Sequence, residues 1–245
     1  MRIFVNYKNN KTKDEFIEDI KVLNEYKDKV TLFPASCFYH LFDGFNIGSQ
    51  NISSVGSVCT GEISARQLKS CGVRSVLIGH SERRKKSMDD NVCLIDKVKV
   101  SLENDFEVLF CVGEREKANL KDTLFCINEQ ISSVFDKAGI NDNVIIAYEP
   151  NWAIGKGENV EINYITDVVN FIKKYIKNKY DINIKVIYGG GVSYDFYKDL
   201  SGLEILDGVL LSSASLNVKE LVKFLCWIKL WQNLKFYLLI VILNI

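Results

Sequence analysis

Apolar residues in this chain gather in short blocks, and between the blocks they recur at the spacing of a helix face. The blocks predict eight strands: Arg2–Asn6, Val30–Pro34, Phe45–Ser49, Ser75–Ile78, Glu107–Val112, Asn143–Tyr148, Lys185–Tyr188 and Gly208–Leu211. The stretches between them predict helices over Lys13–Tyr26, Ser64–Lys69, Val92–Asn104, Leu120–Ala138, Asn163–Asn178, Tyr194–Lys198 and Val218–Ile228. Within Thr166–Lys177, the residues Val168, Val169, Ile172 and Ile176 share one face, as the helical period requires. Strands that alternate with helices pair in parallel and are buried on both faces. Only two prolines occur, Pro34 and Pro150, and no Pro- or Ser-rich linker divides the chain. One α/β domain is therefore expected. Eight such units in 245 residues suit a closed (β/α)8 barrel, whose usual size is about 250 residues. A doubly wound open sheet is the competitor. The barrel is favoured because polar residues and glycines gather at the C-terminal ends of several different strands, where barrel enzymes build their sites.

Composition narrows the partners. Lys+Arg and Asp+Glu both number 31, so the net charge is zero. A general binder of nucleic acid or membrane surfaces would carry a basic excess, and neither partner is expected. A local basic pocket for one phosphate remains open. The seven cysteines are odd in number, irregularly spaced and without a C-x-x-C pair. That argues against a disulfide framework or zinc site and for a reducing cytoplasm. Cys111 closes an apolar strand near the expected site and is read as packing rather than as a nucleophile. The opening Met1–Asn6 reads as a strand and not as a signal peptide.

The chemistry concentrates at strand ends. The run Ala147-Tyr-Glu-Pro-Asn-Trp-Ala-Ile-Gly-Lys-Gly157 sets a carboxylate, Glu149, directly after an apolar strand and before a Gly-rich loop. A base with a movable cover is the reading, since a base that makes a reactive carbanion must act away from water. Asn6 and Lys8 leave the first strand two residues apart, and period two would aim both the same way, toward a substrate oxygen. Alone, they could be ordinary polar residues at a strand end. Ile78-Gly-His-Ser-Glu-Arg-Arg84 ends the fourth strand. Here Ser81 is expected to cap the turn, with Glu82 in its first helical position. A histidine facing a helix N-terminus is destabilised as a cation, so His80 is expected to stay neutral and donate a hydrogen bond. His40 has no comparable surroundings and is read as structural. Tyr188-Gly-Gly-Gly-Val-Ser193 and Ser212-Ser-Ala-Ser-Leu216 end the last two strands. Small residues there let backbone N–H groups approach an anion, at the usual phosphate site of such barrels.

Taken together, these motifs resemble the triosephosphate isomerase family. The resemblance runs from about residue 3 to about residue 228. Asn6-Tyr-Lys8, Gln50-Asn51, Cys59-Thr-Gly-Glu-Ile-Ser64, Ile78–Arg84, Cys111-Val-Gly-Glu114, Ala147–Gly157, Tyr188-Gly-Gly190 and Ala214-Ser-Leu216 carry it. It implies a TIM barrel that interconverts dihydroxyacetone phosphate and glyceraldehyde 3-phosphate through an enediolate. It implies Glu149 as base, His80 as electrophile and proton shuttle, Lys8 as charge and Asn6 as oxygen ligand. It implies phosphate binding by backbone N–H groups near Gly155, Gly190, Gly191, Ser212 and Ser213. Ser81 and Glu82 would stand behind His80 and Lys8. Thr60 would reach into a partner's site, so a homodimer follows. No metal or organic cofactor is expected.

The chain also departs from the family pattern. The family usually has serine at Gly191 and two glycines at Ser212 and Ser213. A serine is costly if the backbone there needs φ > 0, so weaker phosphate binding is the worst expectation. Asn151 stands where the family usually has an aliphatic residue, and Glu158-Asn-Val160 replaces a Lys-rich far hinge. An unaffected mechanism is expected, since hinges mainly absorb φ/ψ change. The barrel domain is expected over 1–228. An atypical apolar extension follows over 229–245, too short for a membrane helix and with the composition of an aggregation-prone strand. It could pack on the barrel, anchor at a membrane surface or be non-native, and the last is favoured. The rival to the enzyme is a barrel that still binds phosphosugar but has lost turnover through its altered cradle.

Overall fold

The computed structural model describes residues 1–54, 58–86, 88–155 and 159–227. The expected apolar extension over 229–245 lies outside these residues, and so does the part of the Gly-rich loop at 156–158. Among the described residues eight strands form: β1 Arg2–Asn6, β2 Val30–Phe33, β3 Asn46–Ser49, β4 Val73–Ile78, β5 Glu107–Val112, β6 Val144–Tyr148, β7 Lys185–Tyr188 and β8 Gly208–Leu211. They pair in parallel in the order of the sequence, and β8 closes on β1 through Ile3↔Val209 and Val5↔Leu211. The open-sheet alternative is thereby set aside.

Alternation along each strand sorts the core into two. Phe4, Phe33, Leu77, Leu109, Cys111, Ile145, Ala147, Ile187 and Leu210 form a buried cluster of their own. The intervening residues, among them Val5, Leu32, Val76, Phe110, Ile146, Val186 and Val209, join the helices in a second and larger cluster. The first set therefore fills the barrel and the second faces the helical layer, as period two dictates. Gly48 leaves room inside the barrel, since a Cβ there would lie 2.2 Å from the ring of Phe33.

The helices are α1 Lys13–Leu23, α2 Ala65–Ser70, α3 Ser81–Lys85, α4 Asn91–Glu103, α5 Leu120–Ala138, α6 Ile162–Tyr180 and α7 Tyr194–Ser201. Residues 218–227 are also helical. α6 buries Ile165, Val168, Val169, Ile172 and Ile176, the face its period foretells. Some expected boundaries move. β4 begins at Val73 rather than Ser75, because exposed Arg74 interrupts the apolar run without interrupting the strand. α1 ends at Leu23 and tightens into a 3-10 turn over Asn24–Tyr26. A further 3-10 turn, Ser36–Leu41, was not legible from periodicity and leaves His40 exposed.

Candidate active site

The inward alternation continues past the strand ends and delivers the site. Two residues after Ala147 comes Glu149, and two after Phe4 comes Asn6, so both extend the inner layer upward. Both are buried, at 2 % and 3 % exposure. Glu149 remains in the ladder, its N–H donating to the Val112 carbonyl at 2.8 Å. Gly113 and Gly189 continue the inward positions of the two flanking strands, and each makes room for Glu149. A Cβ on Gly113 would lie 2.0 Å from the Glu149 carbonyl oxygen, and one on Gly189 would lie 3.0 Å from its Cγ.

Lys8 reaches the site by another route than strand alternation. β1 ends at Asn6, and Lys8 turns with φ +52. The turn is held on both sides. Lys8 N–H donates to Asn6 Oδ1 at 3.0 Å, and Gln50 Nε2 donates to the Lys8 carbonyl at 2.8 Å. The left-handed turn, and not period two, brings the amide and the ammonium together. Lys8 Nζ lies 2.6 Å from Glu82 Oε1. Burial opposes charge on Glu82, but the lysine bond outweighs it, and the carboxyl titrates below its ordinary range.

His80, not Ser81, caps the short helix α3. Its Nδ1 accepts from the Glu82 N–H at 3.3 Å, which makes Ser81 the first helical residue and Glu82 the second. The expected cap is corrected by one residue, because the imidazole competes successfully with the hydroxyl for the free N–H groups of the first turn. With Nδ1 accepting, the ring's own N–H is at Nε2. Nε2 lies 3.6 Å from Glu149 Oε1. Ser81 instead meets the Glu149 carboxylate, its N–H donating to Oε2 at 3.4 Å. Thus Glu82 supports both Lys8 and His80, while Ser81 supports Glu149.

Asn6, Lys8, His80 and Glu149 share a cavity of about 40 Å³ with Ile154, Gly155, Gly190, Gly191, Ser212 and Ser213. Gly190 is required by space, as a Cβ would meet the Tyr188 hydroxyl at 2.2 Å. Ser212 has φ −130, and Ser213 is not among the positive-φ residues. The feared cost of serine in this cradle is therefore not incurred. Thr60 is exposed on the loop after β3 and does not reach this cavity.

Several supporting residues carried no assigned role in the sequence reading. Gln50 also donates to the Phe33 carbonyl at 2.8 Å. Arg84 bonds the Gly79 carbonyl at 2.7 Å and the Cys111 carbonyl at 3.1 Å, tying β4 to β5 beneath His80. Glu114 accepts from Trp152 Nε1 at 2.6 Å and from the Tyr148 hydroxyl at 3.2 Å. Its burial raises its pKa. All were present in quoted motifs, but their partners lie far off in sequence. Cys111 is wholly buried, and burial first, with Glu149 next, pushes its thiol well up. That fits packing and not nucleophilic work.

A carboxylate and an imidazole N–H that face each other across so narrow a space can pass a proton between neighbouring carbons and their oxygens. The fold and site together define an aldose–ketose isomerase on a (β/α)8 barrel. The profile of the family described as triosephosphate isomerase matches residues 1–228. The chain belongs to the triosephosphate isomerase family. It is similar to proteins of that description from Buchnera aphidicola subsp. Cinara cedri, with 33 % identity over 90 % of this chain and 95 % of that protein, and from Campylobacter concisus, with 34 % identity over 88 % and 93 %. A relative of the same description from Ureaplasma parvum is 32 % identical over 88 % of this chain and 94 % of its own.

Proposed function

We propose that this barrel interconverts dihydroxyacetone phosphate and D-glyceraldehyde 3-phosphate. Glu149 removes a proton from the carbon beside the carbonyl and returns it to the neighbouring carbon. His80 donates from Nε2 to the carbonyl oxygen as the enediolate forms, then recovers a proton from the neighbouring hydroxyl as that oxygen becomes the new carbonyl. Atoms and electrons balance within the substrate, since one hydrogen changes carbon and one changes oxygen. Lys8 offsets the developing negative charge, and Asn6 binds the oxygen that bears it. Backbone N–H groups at Gly155, Gly190, Gly191, Ser212 and Ser213 hold the phosphate. A glutamate base beside a neutral histidine in this family is itself a standard illustration of tuned acid–base chemistry. What supports it in this chain is the facing of buried Glu149 and His80 at 3.6 Å, beside small-residue loops.

The protein is also inferred to act as a homodimer. A cavity of about 440 Å³ opens beside Lys8, bordered by Gln50, Glu82, Arg83 and Met88. Met88, on its border, is exposed. The exposed loop bearing Val58 and Thr60 is the segment by which one copy would reach this cavity in the other. A cytoplasmic location is supported by seven free cysteines. Among the described residues no helix is long and apolar enough to cross a membrane.

The test is a coupled isomerase assay with glyceraldehyde 3-phosphate. Glu149→Gln should lower kcat by about 10²–10⁴-fold, the usual worth of a positioned base. No turnover by a folded wild-type chain that binds glycerol 3-phosphate would sink the enzyme and leave the binding-only barrel.

A further inference from the structure

Two residues beyond Glu149 stands a polar side chain in the root of the Gly-rich loop. Asn151 Nδ2 donates to the Glu114 carbonyl at 3.1 Å and reaches the Gly113 carbonyl at 3.5 Å. Its backbone N–H donates to the same Glu114 carbonyl at 3.1 Å. Its Oδ1 is buried and has no partner among the described residues. An orphaned oxygen is a cost that an aliphatic side chain would avoid. The amide orientation is set by its surroundings, because a flip would press Oδ1 against two carbonyl oxygens. Whatever the side chain contributes, it contributes through its donors.

Those donors act on backbone that touches the base. Gly113 is the surface against which the Glu149 carbonyl packs. Gln130 on α5 holds the same glycine at both its N–H and its carbonyl, at 2.8 and 3.0 Å. The Glu114 carboxylate takes the indole of Trp152, the next residue of the root. Beyond it, Ile154 and Gly155 wall the cavity of Glu149. The short span from Glu149 to Gly155 is thus pinned to the end of β5 by adjacent side chains.

We propose that Asn151 is a positioning residue that holds the loop root in the arrangement where Ile154 and Gly155 cover the base, and so strengthens binding of the phosphate-bearing ligand. The inference rests on the proposed function for the identity of that ligand. It adds to the sequence expectation of a tolerant hinge a defined effect on binding.

The test compares the full-length wild type with Asn151→Val and Asn151→Asp. Valine keeps bulk and removes both donors. Aspartate keeps the shape but sets an acceptor against two carbonyls. Equilibrium binding of glycerol 3-phosphate is measured beside KM and kcat for glyceraldehyde 3-phosphate. In Asn151→Val, affinity and KM should each weaken about fivefold, the net worth of one neutral hydrogen bond, with kcat nearly unchanged. The loss in Asn151→Asp should exceed the valine loss at pH 8, and should fall below it as pH drops to 5 and the carboxyl regains a donor proton. A merely structural role would lower Tm without separating KM from kcat. Variants that match wild type in both KM and glycerol 3-phosphate affinity overturn the inference, as do two variants equally impaired at every pH. Absence of turnover in the wild type counts against the proposed function, while the binding arm still reads the effect of Asn151.

Discussion

Adding one methyl group at Gly113 should disable the site without dismantling the barrel. The Cβ of Gly113→Ala would be 2.0 Å from the Glu149 carbonyl oxygen and 2.6 Å from its carbon. Real Cβ contacts essentially never fall under 3.0 Å, so the two backbones must part by at least about 1 Å. Neither side yields easily. Gln130 holds Gly113 through two hydrogen bonds, and Glu149 N–H is in the ladder with Val112. The displacement therefore passes to the Glu149 carboxylate and its 3.6 Å approach to His80. A misplacement of about 1 Å typically costs about 10²-fold in turnover, and overpacking costs about 1–3 kcal/mol of stability. The assay is kcat from the coupled isomerase reaction, with Tm and far-ultraviolet dichroism confirming the fold. Gly139→Ala is the control. It has φ +79 and open space around its Cβ, so it should lose about 1 kcal/mol and no activity. If Gly113→Ala retains kcat within a few-fold of wild type, the close approach does not position the base and the reasoning fails.

Three further outcomes are expected. Asp89 bonds Arg83 at 3.0 and 3.1 Å and Lys97 at 2.5 Å; burial opposes its charge, but these bonds prevail and hold its pKa below the ordinary range. Its stabilisation is then complete above the unfolded pKa of about 3.9 and disappears as pH falls through the lower folded value. Asp89→Asn, which strands two cations, should cost about 3–5 kcal/mol in urea unfolding at pH 7, and the gap to wild type should narrow as pH falls below the unfolded value; a gap that does not change with pH would count against it. Gln50→Ala frees the Lys8 turn, and should lower stability by about 1–2 kcal/mol and raise KM. Unchanged Tm and KM would show that the turn holds itself. Val58→Asp places a charge on the exposed apolar residue of the Thr60 loop, and sedimentation should show a shift from dimer to monomer; a wild-type monomer at working concentration would refute the assembly.

Sequence pattern revealed the barrel because eight strands buried on both faces leave dense apolar blocks. The ends of β1, β5, β7 and β8 fell where those blocks end. The pattern was weakest where conformation follows from contacts at a distance. His80 and Ser81 are both able to cap, and in the fold the Glu82 N–H goes to His80. Asp181, with φ +58, terminates α6 two residues later than expected in a position that glycine more often fills. Lys8 lines the cavity through a left-handed turn that Gln50 secures from 42 residues away. The catalytic candidates were legible because they sit at strand ends inside long motifs, and His80 is one of only two histidines. The meaning of their supports, Gln130, Arg84 and Glu114, appears only once the barrel brings their partners beside them.

Closure of β8 on β1 also decides how the molecule can be handled. Arg2 pairs with Gly208, and its N–H donates to the Asp207 carbonyl at 2.9 Å. Met1 therefore sits at the mouth of the barrel opposite Glu149, beside Arg74 and Glu107. Anything joined ahead of Met1, whether a tag, a surface tether or a fused enzyme, leaves from the face turned away from the base. A molecule immobilised through that end presents its open rim to solution. A partner fused there would be separated from the site by the full height of the strands, and would have to pass product around the outside of the barrel.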